Sequence, residues 1–422
     1  MLQLSILREN KDEIIKRYEK RNMDAKETIE KILELDDERK TSQQLLDDKL
    51  AEANRIAKEI GQLFKSGKTT EANDLKKATK DLKEESQKLK ENLNSVEEEQ
   101  YNLLFNLPNV PNEKVPTGKS DADNQVISEH GKETKFDFDA LPHWELAKKY
   151  NLIDFELGVK ITGAGFPLYR GKGAKLQRAL ISFFLDEAEK AAYEEVIPPL
   201  MVNEASGIGT GQLPDKEGQM YHVTADDLYL IPTAEVPITN IYRDVILKDE
   251  DFPIKNCGYT PCFRREAGSY GKDVRGLNRL HQFDKVEIVQ VTKAENSYDA
   301  LEEMKAHIQS LLEKLGLQYR ILLLCGGDLG FASAITYDFE VYSAAQDKWL
   351  EVSSVSNFET FQANRLKLRY RNEDKKTTLA HTLNGSAMAL PRILAALLEN
   401  NQTENGINIP EVLVPYTQFK SI

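Results

Sequence analysis

Cysteine is scarce: 422 residues hold three, Cys257, Cys262 and Cys325. An odd count excludes a closed disulfide framework and fits a reducing compartment. Cys257 and Cys262 lack the spacing of a zinc knuckle and the six histidines are scattered, so no structural metal centre is expected. Long apolar runs are missing too. The opening MLQLSILRENKDE puts acids and bases where a secretion signal needs an apolar core. Nothing later approaches the ~20 apolar residues of a membrane span. A soluble, cytoplasmic protein without a membrane partner is expected. Positive charge is not in excess either. The net charge is −13, so any polyanion must be met by a local basic patch, against the field of the whole molecule.

Proline is absent between Lys26 and Tyr101, and glycine appears there only at Gly61 and Gly67. What fills the stretch is Lys, Glu, Asp, Leu and Ala. Leu46, Leu50, Ala53, Ala57, Ile60 and Phe64 recur at steps of four and three, and Leu75, Thr79, Leu82, Ser86, Leu89, Leu93, Val96 and Leu103 continue the pattern. That is the seam of a coiled coil. KSGKTT separates the runs. Gly67 can take the positive φ that ends a helix, and Thr69 or Thr70 can cap the next. An antiparallel helical hairpin follows, spanning about 27–105 within an arm of residues 1–107. At ~1.5 Å per residue, each limb reaches roughly 50 Å. Arg55, Lys58, Lys65, Lys68, Lys76, Lys77, Lys80 and Lys83 gather towards its tip, acids towards its base.

Pro108, Pro111 and Pro116 end the second helix and open an irregular linker over 108–135. From residue 136 to 422 the character is mixed. EEVIPPLMV, DLYLIPT, KVEIVQV, YRILLLC and DFEVYSA read as short strands. LQRALISFFLDEAEKAAY, Ser297 to Leu315 and ALPRILAALLENN read as helices. Hairpin-linked strands with bunched helices predict an α+β domain, an antiparallel β-sheet flanked by helices, and exclude the doubly wound nucleotide fold. The usual phosphate loops are missing as well. GAGFPLYRGKGAK has five residues between Gly165 and Gly171 and Gly173 after Lys172, which breaks GxxxxGK[ST]; GIGTGQLP is no GxGxxG. A nucleotide here must sit on a sheet surface held by side chains.

CFRREAGSYGKDVRGLNRLHQFDKVEIV offers such side chains. It sets Arg264, Arg265, Lys272, Arg275, Arg279 and Lys285 in one hairpin of an acidic chain. A charge run alone is more often a solvated loop. Its companions change that reading. AAYEEVIPPLMV, ending at Pro199, resembles the first motif of class II aminoacyl-tRNA synthetases. FRREAGSYGKDVRGLNRLHQFDKVE resembles the second, and LNGSAMALPRILAALLENNQ the third. GTGQLP, LIPTAEVPITN, TYDFEVYSAAQDKWLEVSSVSN and HTLNGS narrow the resemblance to the bacterial-type seryl-tRNA synthetases, over essentially the full chain.

The resemblance implies a class II synthetase catalytic domain that activates L-serine with ATP and charges tRNA(Ser), with tRNA(Sec) an open second acceptor. Arg264, Arg392 and Glu351 would be catalytic. Arg264, on the α-phosphate, and Arg392, on the far phosphate, would hold ATP together with Arg265, Glu266, Phe283, Glu351, Val352, Ser353 and Ser354. Glu351 and Ser354 would ligate Mg²⁺. Thr233, Ala234, Glu235, Arg264, Glu287, Asn384 and Ser386 would hold serine, Glu287 accepting from its hydroxyl. The arm would grip tRNA, and the first motif would build a homodimer. Each residue also has a plainer reading: Phe283 as core, Glu351 as a solvated strand flank, PTAE as a turn. Three departures stand out: Pro391 where the family usually has glycine, Gly165 where arginine is common, and Val355 for a frequent cysteine. A non-enzymatic relative would be expected to lack Arg264, Glu351 or Arg392. A carrier-protein ligase would lack the arm and need a zinc ligand cluster.

Overall fold

The computed structural model describes residues 1–266 and 275–422, so Lys272 of the basic hairpin lies outside the described residues. The chain divides into two units, Met1–Tyr18 with Met23–Pro108, and Glu19–Asn22 with Asn109–Ile422.

The first unit is built on helices Lys26–Lys65 and Thr69–Asn106. They run antiparallel, as shown by Asn92 to Ser42, Lys49 to Glu85, and Gln100 to the Ile32 carbonyl. Gly67 makes the turn at φ +77°, which glycine adopts without the Cβ clash. Neither threonine caps the second helix: Thr69 is already helical and Lys68 precedes it without a side-chain cap. The seam also differs from expectation. Leu46 and Ile56 are buried and Lys49, Ala53, Ile60 and Leu63 half-buried, whereas Leu50 and Phe64 are 46% and 40% exposed and Ala57 is exposed. Steps of three and four both return to nearly the same face of a helix, so two phases were available. The chosen one buries branched Ile56 in place of Ala57. It also lays the Lys49 stem across the seam, with its ammonium 2.7 Å from Glu85. The second helix follows the expected residues, with Leu82, Ser86, Leu93 and Val96 buried. At the base, Asp36 is buried. Burial works against its charge, but Lys40, Arg8 and Arg39 outweigh that and hold its carboxyl down at about 2.

The second unit carries an eight-stranded sheet. Its order is Gln125–His130, Tyr319–Leu323, Ile335–Ser343, Lys348–Glu359, His381–Ala389, Gln282–Thr292, Ile254–Phe263, Glu194–Glu195. All neighbours are antiparallel except the last pair, which is parallel. Gln125–His130 corrects the irregular linker: part of it is the sheet's edge strand. Short polar strands at an edge carry little apolar pattern, because one flank stays in water. EEVIPPLMV is likewise not one strand. Glu194–Glu195 joins the large sheet, and Met201–Val202 pairs with Leu228–Leu230 in a small one. Pro198 and Pro199 between them have no N–H to give a ladder.

Alternation along the strands assigns the two faces. Val286 and Ile288 point into the main core with Leu383, Val355 and Met304 of helix Ser297–Lys314. Helices Gly171–Lys190 and Leu390–Asn400 add Phe183, Phe184, Ile393 and Leu397 to the same core. Phe283, Lys285 and Glu287, on the alternate positions, face the other way.

Candidate active site

That other face holds a cavity of about 700 Å³. Thr233, Glu235, Arg264, Glu266, Phe283, Glu351, Val352, Ser353, Ser354, Asn384, Ser386 and Arg392 all line it. Of the residues singled out in the sequence, Ala234, Arg265 and Glu287 do not. Ala234 is fully buried, and Arg265 is tied through its backbone N–H to the Gln219 carbonyl at 2.8 Å.

Glu287 is fully buried directly behind the wall. Asn384 Nδ2 donates to its Oε1 at 2.7 Å; Thr233 Oγ1, at 3.1 Å, and the Lys285 ammonium, at 2.5 Å, meet Oε2. Lys285 also donates to Thr233 Oγ1 at 2.8 Å. A carboxylate offers about four acceptor sites, so three donors leave room for one more. Thr233, Glu287 and Asn384 were expected around serine, but Lys285 was not: in the sequence it counted only among the hairpin's cations. The signal was there: a lysine two residues before a glutamate on one strand points to the same face.

Glu235 opens the short helix Glu235–Asn240 and is buried. Gln362 Nε2 donates to its Oε1 at 2.7 Å while Thr382 Oγ1 donates to the Gln362 side-chain Oε1 at 2.7 Å. Burial, with the Glu287 charge in second place, pushes the Glu235 carboxyl up to about 7. It is poised to ionise when a cation arrives.

The cationic groups have definite seats. The Arg264 guanidinium lies over the Phe283 ring, 5.2 Å from its centroid, with Nε donating to the Pro232 carbonyl at 3.3 Å. Glu266, in the left-handed region at φ +47°, accepts from Arg279 at 3.2 Å. Arg392, next to Pro391 in the first turn of its helix, donates to the Glu351 carbonyl and carboxylate at 2.8 and 3.2 Å and to the Asn278 carbonyl at 3.1 Å. Pro391 costs nothing there, since its missing N–H would be unpaired in a first turn.

Asp338 is the second residue the sequence reading passed over. It lines the cavity and lies opposite Ser354 in the strand register. Burial and the Glu351 charge raise its carboxyl well above the usual range, and its Oδ1 has no hydrogen-bond partner. Two carboxylates and a hydroxyl thus converge on one space. Among the described residues no group of three His, Cys, Asp or Glu side chains is arranged to hold a metal. A set of two carboxylates and a hydroxyl suits only an ion that completes its shell with other oxygens.

Comparison with known proteins identifies the family of the chain. Residues 1–111 match the seryl-tRNA synthetase N-terminal domain, and residues 221–401 match the tRNA synthetase class II core domain (G, H, P, S and T). The chain is 50% identical to a serine–tRNA ligase of Salinibacter ruber, covering 100% of this chain and 99% of that protein. It is 45% identical to one of Chlorobium phaeovibrioides with the same coverage. The seryl-tRNA synthetase of Pyrococcus horikoshii, solved with ATP, superposes with a TM-score of 0.93 at 33% identity, covering 100% and 99% of the two chains. The cytoplasmic enzyme of Naegleria fowleri, solved with AMP, gives 0.88 at 26%, covering 100% and 98%. Two domain matches in the expected order, and relatives alike from end to end, leave a single assignment: the chain belongs to the seryl-tRNA synthetase family.

Proposed function

We propose that the chain joins L-serine to ATP, forming seryl-adenylate and pyrophosphate, and then passes the seryl group to the 3′ end of tRNA(Ser). tRNA(Sec) is the second acceptor to try. In the first step a serine carboxylate oxygen bonds to the α-phosphorus and pyrophosphate leaves. In the second, a terminal ribose hydroxyl attacks the acyl carbon and AMP leaves.

Phosphoryl transfer asks a protein chiefly for positioning and charge neutralisation. Arg264 presents a planar fork to the α-phosphate and the incoming carboxylate, where two aligned hydrogen bonds form together. Arg392, freed from Glu351, takes the far phosphate. Glu266 receives the adenine amino group, with Phe283 beneath the base. Glu235 ionises against the serine ammonium, helped by Thr233. The remaining acceptor site of Glu287 takes the serine hydroxyl, with Asn384 and Ser386 closing the pocket. Alanine would leave that buried site unpaired, a mismatch able to discriminate by ~10⁴ or more.

Glu351 and Ser354, with Asp338 beside them, fit Mg²⁺: they are hard oxygen donors, and one carboxyl oxygen lacks a partner. When bound, the ion supplies charge neutralisation to the phosphates. The arm's basic tip residues, all exposed, form the tRNA grip. Ile197, Leu200 and Met201, exposed by 87%, 39% and 49%, are offered to the same segment of a second copy.

The observation that carries the reading is one cavity lined both by a phosphate-suited pair, Arg264 and Arg392, and by Thr233, Lys285 and Asn384, the three donors that hold Glu287 directly behind its wall. Amino-acid-dependent exchange of labelled pyrophosphate into ATP, run over all twenty amino acids, tests it. Serine alone should support exchange. Exchange with another amino acid in its place, or with none, overturns the proposal.

A further inference from the structure

Beside the cavity lies a polar network centred on His143 and Glu399, two fully buried residues that have no part in the reaction proposed above. His143 is fully buried at the start of helix His143–Lys149. Its Nε2 accepts the backbone N–H of Leu277 at 2.8 Å, so that nitrogen carries no proton. The proton therefore sits on Nδ1, which donates to Glu399 Oε1 at 2.7 Å. The His143 backbone N–H meets the same oxygen at 2.8 Å and Gln346 Nε2 does so at 2.8 Å, while the Ser343 hydroxyl takes Oε2. Every part of this buried carboxylate is answered. That is a rigid network, because losing any one member strands the others in a dry interior.

What the network holds is the returning leg of the basic hairpin. Gly276 sits at φ +66°, and a Cβ on it would lie 2.1 Å from His143 Nε2, so the backbone runs tight against the Nε2 edge of the imidazole. Leu277 is pinned by that nitrogen. The next residue, Asn278, gives its carbonyl to Arg392 Nε at 3.1 Å and its amide to Gln346 at 3.3 Å. Arg392 and Glu399 belong to the same helix, two turns apart and so on one face. The circuit closes: Glu399 to His143, His143 to Leu277, Asn278 to Arg392, and back along the helix.

We propose that His143 is a positioning residue for ATP. Fixed in one tautomer by Glu399, it locks the 276–278 backbone so that the Asn278 carbonyl aims Arg392 at the far phosphate. This rests on the assignment of Arg392 to ATP made above. A merely structural histidine would affect both substrates alike. A positioning one acts on ATP alone.

Two isosteres separate its two bonds. His143→Gln keeps an acceptor near Nε2 for Leu277, and His143→Asn keeps a donor near Nδ1 for Glu399 but releases the loop. In serine-dependent pyrophosphate exchange, His143→Asn should raise KM for ATP about 10-fold, the scale of one lost buried hydrogen bond, with KM for serine within about twofold. His143→Gln, which keeps the bond to the loop but gives up the donor to Glu399, should raise KM for ATP by less than His143→Asn does. Gly276→Ala attacks the contact from the loop side without touching Glu399 and should copy His143→Asn. Arg392→Ala must itself raise KM for ATP; if it does not, the assignment of Arg392 fails. If Arg392→Ala does so but His143→Asn and Gly276→Ala leave KM for ATP unchanged, or shift serine equally, the latch is overturned. His143→Asn added to Arg392→Ala should have little further effect, since both act through one guanidinium.

Discussion

Glu235 shows how burial, reinforced by a neighbouring carboxylate, displaces a carboxyl from its ordinary range. Its folded-state value near 7 lies above the ordinary 4.5, so the folded chain holds a proton there that the unfolded chain has released. Its contribution to stability is complete below about 4.5 and is lost as pH rises through about 7. A serine ammonium prefers the ionised form, so the sign for binding is opposite. Below pH 7, serine must drive off a proton to bind. Serine affinity should therefore tighten from pH 6 to pH 8, by up to about tenfold per unit below the pKa. Glu235→Gln should flatten the profile, and titration calorimetry in two buffers should detect the released proton. A wild-type profile without slope would place the ammonium elsewhere. Glu287 differs in its partners, since three donors already meet its carboxylate. Glu287→Gln would set an amide N–H against a donor, so serine-dependent exchange should fall by at least about 10²-fold, the scale of one lost transition-state contact. Its serine-to-alanine preference should fall too, and an unchanged preference would sink the role. Arg264 and Arg265 form the sharpest pair, since adjacent residues of one charge differ in whether they line the cavity. Arg264→Ala should cost ~10²–10³ in exchange rate and Arg265→Ala much less; equal losses would put the wrong arginine on the phosphate.

At the scale of elements, the long helices and the central strands were legible because each buries one face and repeats its signal many times. Helix Ser297–Lys314 and strand Gln282–Thr292 lie where their periodicity put them. What stayed hidden had short or ambiguous signals. Gln125–His130 is an edge strand with four of its six residues exposed and none buried, and only its pairing with Tyr319–Leu323 defines it. Asp338 reads as an ordinary acid in TYDFE until the register sets it opposite Ser354. Gly165, a departure from the family pattern, became intelligible only in three dimensions. At φ +81° it accepts the His281 N–H, and a Cβ would lie 2.3 Å from the His281 ring, itself stacked on Phe166. No larger residue fits while His281 keeps that place. The arm's seam is the instructive case, since two phases matched the sequence and packing chose one. Ile56→Ala should destabilise the arm by about 2–4 kcal/mol through lost burial and an unfilled cavity, whereas Leu50→Ala should change it by about 0.5 or less. Hydrogen exchange along residues 46–64 would read both. Comparable losses would restore the phase with Leu50 at the seam.

For the whole molecule, the acidity that opened the question has a spatial answer. A net charge of −13 is compatible with an RNA partner because residues 55–83 of the distal arm carry eight cations against four acids, while Glu27, Glu30, Glu34, Glu97, Glu98 and Glu99 occupy its base. Counterion release depends on local phosphate contacts and not on total charge. The arm's core closes within its own hairpin, so it can be shortened without opening the catalytic sheet. The Ser42–Asn92 and Lys49–Glu85 pairings share one register, which sets residue 45 opposite residue 89. Replacing residues 46–88 by a short Gly-Ser turn should leave serine-dependent pyrophosphate exchange near the full-length rate. Charging of serine tRNA by the same variant should collapse. Reversing the charge of Lys76, Lys77 and Lys80 should reproduce part of that loss and lower the salt dependence of tRNA binding, by roughly one unit of slope per lost phosphate contact. If shortening abolishes exchange while the circular dichroism of the sheet domain is intact, the arm belongs to the activation machinery. If charging survives, the coiled coil is a solubilising appendage and tRNA is held elsewhere.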